Sequence, residues 1–542
     1  MKYIRIILLM SVIAITSCVK IKEEAFSFIS PDNFYKSEKD AEASVIGIYP
    51  EVPRLDLINI TNSMGCVGSM RDSRELAMSE GGLTQSSELM GRVWQGLYTG
   101  VRKANTTIDG LNGSPLAESL KNRYIAEAKV LRAYFYFHLL RLWGDIPFRE
   151  TEIVTNDQIP VTPLKESYNK LIADLEWAIP NMWASSAKPL GRVDVTVARI
   201  LLANIYLTLA SSANSYNSAT TARALKPLND AFKDSITVFY TKAKVLAQTI
   251  ISQPGRHSLV SDWTKIWGRT ETDDYRNNPE FIWVNQTIPG VSGFNIAFIP
   301  AYTQYTPAYN GGQTLNVAYE HVASYDSNDI RLKEGYIWEY HLQSATNKIT
   351  IERWRRRLND KAYPPVTTTI IIRETADSVI REASYWALSP KKYFDQQYKA
   401  IEASGPNYAY PFFRMTEAYL ILAEAENELN GMTTVAINAI NPIRARAGIP
   451  SYSASQFSKQ DFREKILDER LWEFAMEGKD YYDLIRMGQL EERCRGVETT
   501  SDGRDVRPNP RPRNAEDYWL PYPVLEKGLN SFLAGKVRMD FQ

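Results

Sequence analysis

Residues 124–148 read YIAEAKVLRAYFYFHLLRLWGDIPF, and their spacing predicts a long helix with one apolar face. Large apolar residues recur at steps of four and seven along this stretch and the chain just before it: Leu116, Leu120, Tyr124, Leu131, Phe135 and Leu139. Pro147 follows Trp143 and Gly144 and prevents further helix. Residues 88–110 carry the same pattern and end at a glycine. The two stretches therefore predict an antiparallel helical hairpin.

The hairpin pattern recurs further along the chain. A second pair of helices is predicted at residues 164–179, which stop before Pro180, and at 195–209, which follow the capping residue Asp194. Further helices are predicted near residues 236–251 and at 412–429, where Gly431 is the expected stop. Repeated helix pairs of this length predict a mainly α fold with a tetratricopeptide-like helical-hairpin scaffold.

Between residues 255 and 410 the composition changes to Tyr, Asn, Pro, Gly and Thr, with short β-prone runs at 281–284 and 367–372. This predicts a loop-rich insertion containing short β-strands, and the insertion is the expected ligand-binding region. An N-terminal helical part would cover residues 31–254, and a C-terminal helical part would cover 411–542. Loops on a rigid frame commonly carry binding residues.

The first residues have the form of an export leader. Lys2 and Arg5 precede an apolar run at 6–15, and small residues then lead to Cys18. The run is about ten residues long, whereas a membrane-spanning helix needs about twenty. Because Ile15-Thr16-Ser17-Cys18 resembles a bacterial lipobox, we predict a lipoprotein signal peptide at 1–17, lipidation of Cys18 and a lipidated tether at 18–30. The alternative is an ordinary secretory signal with a chance cysteine.

Several functional classes are disfavoured by composition. Lys+Arg and Asp+Glu both number 63, so no net field attracts nucleic acid. The four histidines lack metal-ligand spacing, and no G-x-S-x-G elbow or phosphate-binding glycine loop occurs. Cys66 and Cys494 are the only cysteines of the mature body besides Cys18, and they can pair or stay free. We therefore predict no metal, no cofactor and no nucleic-acid partner.

Three carboxylates, Glu469, Glu473 and Glu477, step by four along the C-terminal part. They would repel one another on a single helix face unless cations intervene, and four arginines are available: Arg444, Arg446, Arg470 and Arg486. We predict a packed ion-pair knot between neighbouring helices. The alternative is a glycosidase carboxylate pair, which needs an acid and a base or nucleophile on either side of one cleft.

Six ordered blocks of sequence carry a resemblance to a known family. They are residues 124–148 quoted above, GRVDVTVARILLANIYL (191–207), FFRMTEAYLILAEAEN (412–427), IRARAG (443–448), ILDERLWEFAMEGKDYYDLIRMG (466–488) and YWLPYPVLEK (518–527). Together they resemble the SusD/RagB family of Bacteroidetes. Lys479 stands where that family usually has Arg, Pro442 is expected to interrupt the helix of the fourth block, and the family's usual C-terminal motif is lacking.

The resemblance implies a surface-exposed, lipid-anchored protein of the cell outer membrane. Such a protein would serve nutrient uptake as the lid and ligand-binding partner of a SusC-like TonB-dependent transporter, capturing oligosaccharide without catalysis. Two alternatives remain open at this point. One is a peptide-capturing lid of the same fold, and the other is an exported glycoside hydrolase with its carboxylates in the insertion.

Aromatic side chains are the expected sugar contacts, because flat rings pack on sugar C–H faces while polar side chains bond the hydroxyls. The candidates are Tyr302, Tyr305, Tyr309, Trp338 and Trp267 in the insertion and Trp94 at the start of the first long helix. The Pro, Gly, Asn and Thr neighbours of the three tyrosines favour their exposure. The resemblance adds polar contacts from the stretch before that helix, where Asp72 and Arg74 lie. It also implies a structural turn at Asp329 and Arg331.

Overall fold

The computed structural model describes residues 34–52, 55–70, 83–152, 158–185, 191–215, 218–267, 278–285, 315–337, 339–343, 349–354, 371–374, 378–383, 389–393, 410–495, 498–500, 506–508 and 513–541. Most of this part is helical, and the helices form hairpins. The structure therefore confirms the predicted mainly α, tetratricopeptide-like fold with an insertion of short strands.

The helices are, in chain order, α1 (Glu38–Ile46), α2 (Leu55–Ser63), α3 (Glu88–Asn112), α4 (Glu118–Trp143), α5 (Leu164–Asn181), α6 (Val195–Asn214), α7 (Ala219–Phe232), α8 (Ile236–Ser252), α9 (Thr264–Trp267), α10 (Tyr319–Ser324), α11 (Ile330–Glu334), α12 (Met415–Asn430), α13 (Thr434–Arg446), α14 (Lys459–Glu473), α15 (Asp480–Arg486), α16 (Leu490–Arg493) and α17 (Val524–Leu529). Short 3-10 turns cover Tyr49–Glu51, Lys233–Ser235, Lys391–Tyr393 and Ala515–Tyr518.

Neighbouring helices pack as pairs. Helix α3 packs on α4, α5 on α4 and α6, and α8 on both α6 and α12. Local chemistry sets the ends: the Asp194 carboxylate accepts hydrogen bonds from the Thr196 and Val197 amides, both at 2.9 Å, and so caps α6. Gly144 ends α4 at a φ of +76°, where a side chain would meet Met539. The hairpins predicted from residues 88–143 and 164–209 are thus confirmed.

Two of the three prolines predicted to end or interrupt helices do not do so. Pro180 lies in the last turn of α5, and Pro442 lies within α13, which continues to Arg446. A proline removes one backbone donor. In α5 the helix continues by only one residue beyond it, so the loss is confined to the helix end. The predicted interruption of the IRARAG helix at Pro442 is therefore wrong.

The strands are short and pair locally. They are β1 (Gly68–Met70), β2 (Ile146–Pro147), β3 (Val161–Thr162), β4 (Phe281–Val284), β5 (Leu315–Val317), β6 (Tyr336–Ile337), β7 (Glu339–Gln343), β8 (Ile349–Trp354), β9 (Ile371–Glu374), β10 (Ser378–Ala383), β11 (Ser389–Pro390), β12 (Pro411–Arg414), β13 (Glu498–Thr500) and β14 (Val506–Pro508). One sheet has four strands in the order β7-β8-β10-β9. The other described strands form two-stranded sheets.

The β-prone run at 281–284 is confirmed as β4, and the run at 367–372 reaches the described β9 only at its end. Strand β4 pairs antiparallel with β12. The helix predicted at 412–429 therefore begins at Met415, because Phe412, Phe413 and Arg414 are extended and hydrogen-bonded to the insertion. This strand pair attaches the insertion to the C-terminal helices.

Among the described helices, Val195–Asn214 is the one long and apolar enough to cross a membrane. Its most apolar window is 83% buried inside the protein, and its side chains contact α5 and α8. Burial of this kind explains the apolar composition of α6, which forms the centre of the helical core.

Candidate functional site

Most of the predicted ligand residues lie outside the described part of the chain. This holds for Asp72, Arg74, Tyr302, Tyr305, Tyr309 and Trp338, and also for the predicted lipidation site Cys18. The described strands that border these stretches nevertheless fix where the stretches are attached. Those attachment points form one area, which we call the strand junction and define by β1, β5, β6 and β11.

Strands β1 and β5 form the centre of the strand junction. They pair antiparallel, with Gly68 opposite Val317 and Met70 opposite Leu315. Paired residues of antiparallel strands have Cα atoms only about 5 Å apart. The stretch that follows Met70 and carries Asp72 and Arg74 is therefore attached beside the stretch that precedes Leu315 and carries the three tyrosines. Two stretches that are distant in sequence are thus attached at the same strand pair.

Strands β6 and β11 complete the strand junction. Ile337 of β6 pairs with Ser389 of β11, and β11 also contacts β5. Trp338 directly follows Ile337 in the sequence. The Lys391 amide donates to the Gly335 carbonyl at 2.8 Å, which fixes the two chains beyond the strand pair.

Trp267 is a described candidate, and it lies next to the strand junction. Its ring is half-buried at the end of α9, with centroids 5.8 Å from Phe281 and 6.2 Å from Tyr393. The Lys392 ammonium lies 4.9 Å from the ring centroid, a cation–π contact. Lys392 and Tyr393 directly follow β11. Through its contacts with these two residues, Trp267 lies beside the strand junction.

Trp94 is the predicted site residue that the packing argues against. It is 2% exposed, and its ring centroid lies 5.1 Å from that of Trp143 and 6.1 Å from that of Tyr522. The ring belongs to the core between α3 and α4 and offers no surface to a ligand in this structure. A large aromatic residue on a core-facing helix position is usually buried, and that reading holds here.

A buried ion cluster adjoins the strand junction, since Arg331 precedes β6 and Lys392 follows β11. Five cations (Arg331, Lys392, Arg414, Arg444, Arg446) and five carboxylates (Glu280, Asp329, Glu469, Glu473, Glu477) form it, and all ten residues are less than 9% exposed. Arg414 contacts Glu473 at 3.0 Å, Glu477 at 2.9 Å and Glu280 at 3.2 Å. The predicted ion-pair knot around Glu469, Glu473 and Glu477 is confirmed.

The composition of the ion cluster differs from the prediction in two ways. Arg470 pairs with Asp483 at 2.8 Å, and Arg486 pairs with Asp483 and Glu424, so neither of these arginines neutralises the three glutamates. The missing cations are supplied by Arg331, Lys392 and Arg414. Helix α14 also ends at Glu473, so Glu477 reaches the cluster from the following turn and not from the same helix face.

The ion cluster joins the insertion to the helical body. Arg331 of the insertion donates to Glu469 at 2.6 Å and to Glu473 at 3.1 Å. Lys392 donates to Glu477 at 2.7 Å and to the Glu473 carbonyl at 2.8 Å. The Arg331 guanidinium also donates to the Asp329 carboxylate at 2.8 Å, so the predicted turn has a structural role.

Charge neutralisation keeps Glu473 and Glu477 ionised. Burial alone would raise the pKa of Glu473, but Arg446, Arg414 and Arg331 outweigh it and hold that pKa well below its usual range. The pKa of Glu477 is also lowered, because Arg414 and Lys392 outweigh the effect of its burial. A glycosidase acid needs a raised pKa and access to substrate, so these two carboxylates are unsuited to that role.

Both cysteines of the described body are free and buried. Burial raises the pKa of Cys494 to about 11 and that of Cys66 above its usual value. Neither thiol is ionised at neutral pH, and reactive thiols are normally thiolates, so the two have the properties of structural residues.

Two family models match the chain. The one described as "SusD family" matches residues 264–530, and the one described as "Starch-binding associating with outer membrane" matches residues 58–207. The SusD-like protein P2 of Formosa agariphila is 23% identical to the chain, over 98% of this chain and 99% of that protein. The starch-binding protein SusD of Bacteroides thetaiotaomicron is 23% identical over 72% of this chain and 68% of that protein.

A solved structure agrees with these matches. The crystal structure of a SusD superfamily protein from Parabacteroides distasonis superposes with a TM-score of 0.72 at 21% identity, covering 92% of this chain and 98% of that one. Likeness at this level of identity shows a shared fold. Taken with the two family models, which between them match the helical hairpins, the insertion and the C-terminal helices, it shows that the chain belongs to the SusD/RagB family.

Proposed function

We propose that this protein is a lipid-anchored surface protein of the outer membrane that captures oligosaccharide and passes it to a SusC-like TonB-dependent transporter, without catalysis. The observation that carries the proposal is the strand junction, at which the stretches bearing Asp72, Arg74, the three tyrosines and Trp338 are all attached. The names of the relatives and of one family model support glycan as the ligand.

The proposed ligand surface combines two kinds of contact. Tyr302, Tyr305, Tyr309 and Trp338 would pack on sugar faces, with Trp267 at their margin, while Asp72 and Arg74 would bond sugar hydroxyls. The ion cluster next to the strand junction supports the proposal. It fixes the insertion on the helices through buried charge pairs, and so would give loops above it a rigid base.

A panel of oligosaccharides tests the ligand class. Calorimetric titration of the protein with starch-, β-glucan- and mannan-derived oligosaccharides should give saturable heat with one of them. Changing Tyr302, Tyr305 and Tyr309 together to Ala should weaken that binding at least tenfold. The matched control is Trp177→Ala, an aromatic side chain 38% exposed on α5, far from the strand junction in sequence and packing. Equal affinity of the triple variant and the wild type would contradict the proposed site.

The same preparation separates the two alternatives. Saturable heat with oligopeptides alone would favour a peptide-capturing lid. Release of reducing ends from any polysaccharide, by protein freed of contaminating activity on a second column, would favour a glycoside hydrolase. The proposal expects neither outcome.

The anchor and the transporter need separate experiments. Replacing Cys18 with Ala should move the protein from the membrane fraction to the soluble fraction, because a lipid chain on that thiol would be the anchor. Affinity purification of the wild type from detergent-solubilised outer membranes should recover a TonB-dependent barrel in stoichiometric amount. Recovery of the protein without any barrel would contradict the transporter role.

A further inference from the structure

A cleft lies on the helical body, and most of its lining residues come from helices. It encloses about 70 Å³ and is bordered by α2, α4, α6, β12 and α15. Aromatic rings form much of its wall, and the polar residues that reach its partly exposed mouth are His138, Arg141, Asn204 and Lys479. Its lining also includes Glu477 of the ion cluster and Tyr410 at the end of the insertion, so the cleft adjoins that cluster.

Arg141 has an unusual position in this cleft. Its guanidinium carbon lies 3.8 Å from the ring centroid of Phe137 and 3.5 Å from that of Tyr482, so the group stacks on both rings. Its Nε donates to the Phe137 carbonyl at 3.2 Å, and one terminal nitrogen lies 3.2 Å from His138 Nδ1. Within the described residues, no carboxylate forms an ion pair with it.

The other charged groups of the cleft wall are paired. Lys479 contacts the Glu417 carboxylate at 2.8 Å and the Phe412 carbonyl at 3.0 Å. Arg470 contacts Asp483 at 2.8 Å, and Arg486 lies between Asp483 and Glu424. Among the lining residues that the structure describes, Arg141 is therefore the cation that lacks a carboxylate partner.

The neighbours of Arg141 leave its charge uncompensated. Burial lowers the pKa of His138 well below its usual value, and the nearby Arg141 and Lys479 add to this effect, so the imidazole is neutral at physiological pH. Tyr482 Oη lies 2.9 Å from His138 Nδ1 and is a neutral partner. The lining carboxylate Glu417 attracts Arg141 only at long range, because its ion pair is with Lys479 at 2.8 Å. A half-buried guanidinium without a counter-ion is costly unless an anion can approach it.

We propose that this cleft binds the carboxylate group of a small acidic ligand, with the Arg141 guanidinium as its counter-charge and Asn204 and Lys479 at the entrance. A planar guanidinium matches a carboxylate because two N–H groups can donate to its two oxygens. The enclosed volume holds about two waters and so accepts a carboxylate, while the remainder of the ligand would stay at the mouth. This proposal does not depend on glycan capture at the strand junction.

Binding of sodium glucuronate tests the proposal, with glucose as the neutral analogue of the same shape. Equilibrium dialysis of labelled glucuronate against the full mature protein should give saturable binding, and glucose should not compete. The variant Arg141→Gln should weaken glucuronate at least tenfold, and Arg141→Lys should restore part of the affinity, because lysine keeps the charge but loses the planar fork.

A matched control lies on the same helix. Arg123 of α4 also stacks on a ring, 4.2 Å from the centroid of Trp183, but is not among the cleft residues, so Arg123→Gln should leave glucuronate binding unchanged. If Arg141→Gln fails to fold, Asn204→Asp tests the same idea from the partly exposed mouth, where a new negative charge should weaken binding several-fold.

A dipeptide with a free C-terminus and the same dipeptide as its amide distinguish the source of the carboxylate. Competition by the free acid alone would assign the cleft to peptide carboxylates, and competition by glucuronate alone would assign it to acidic sugars. The proposal is wrong if glucuronate and the dipeptide acid both bind equally well to the wild type and Arg141→Gln, or bind to neither.

Discussion

The hairpin of α3 and α4 and the attachment of the insertion are stabilised by opposite means. The hairpin packs through apolar contacts, with Trp94 against Trp143 and with Gly100 so close to the Phe135 ring that a Cβ there would lie 2.5 Å from it. The insertion is attached through the ion cluster, in which Arg331 and Lys392 contact glutamates of the C-terminal helices. Apolar packing builds the frame, and buried charge fixes the insertion on it.

The difference has an energetic consequence. Apolar contacts tolerate loss of one partner at the cost of a cavity, whereas removal of one ion from a buried pair leaves an uncompensated charge. We therefore expect single substitutions to affect the two regions unequally, both in stability and in ligand binding. Four substitutions test this comparison.

The largest effect is expected for Arg414→Met in the ion cluster. Arg414 contacts Glu280, Glu473 and Glu477, and the substitution leaves three buried carboxylates short of a cation. We expect a loss of about 3–5 kcal/mol in the free energy of unfolding, measured in urea. The control is Arg92→Met, whose ion pair with Asp56 is half-exposed and should contribute about 0–1 kcal/mol. Equal losses for the two variants would contradict the importance of the ion cluster.

Trp94→Ala should cost about 3 kcal/mol or more, because it opens a cavity in the apolar core of the hairpin. At a temperature where the variant is folded, we expect oligosaccharide affinity to equal that of the wild type, since the ring is not exposed. A variant that keeps its stability but loses ligand affinity would restore Trp94 to the ligand site.

Asp480 supplies a prediction about pH. Burial raises its pKa to about 7, and its carboxylate accepts a hydrogen bond from the Val67 amide at 3.0 Å. The folded state therefore holds a proton that the unfolded chain releases near pH 4, and this contribution to stability is lost as pH rises toward 7. The free energy of unfolding of Asp480→Asn, relative to that of the wild type, should therefore rise by about 1–2 kcal/mol from about pH 4 to about pH 8. Urea unfolding at both pH values measures this, and a constant difference would contradict it.

The smallest effect is expected for Asp194→Ala. The substitution removes the acceptor of two amide donors at the start of α6, and a lost N-cap costs about 1 kcal/mol. Thermal unfolding followed by circular dichroism measures this loss. Ser458→Ala is a comparison at the cap of α14, where the serine accepts from the Asp461 amide at 3.1 Å. No change in Tm for either variant would show that the caps add nothing to helix packing.

The frame could be predicted from sequence because helix periodicity is a local signal. The hairpins of residues 88–143 and 164–209 follow from apolar spacing and caps alone. By contrast, β12 could not be separated from α12, since Phe412 and Phe413 fit a buried helix as well as a buried strand. The helix α7 was missed although its apolar residues are regularly spaced, and it contains Pro227, a residue that normally ends a helix.

The attachment of the insertion could be predicted only in part. The stepwise spacing of Glu469, Glu473 and Glu477 indicated the ion cluster. However, Arg331 lies 138 positions from its partner Glu469, and Lys392 lies 85 positions from its partner Glu477. Pairing between charges so distant in sequence leaves no local pattern. The same holds for β1 and β5, whose pairing defines the strand junction.

Hydrogen exchange with and without bound oligosaccharide tests the central claim most directly. The account predicts that ligand slows exchange in the peptides that span Gly68–Met70 and Leu315–Val317 and the stretches adjoining them, with little change in α3 to α6. Protection confined to the helical hairpins, with none at the strand junction, would contradict it.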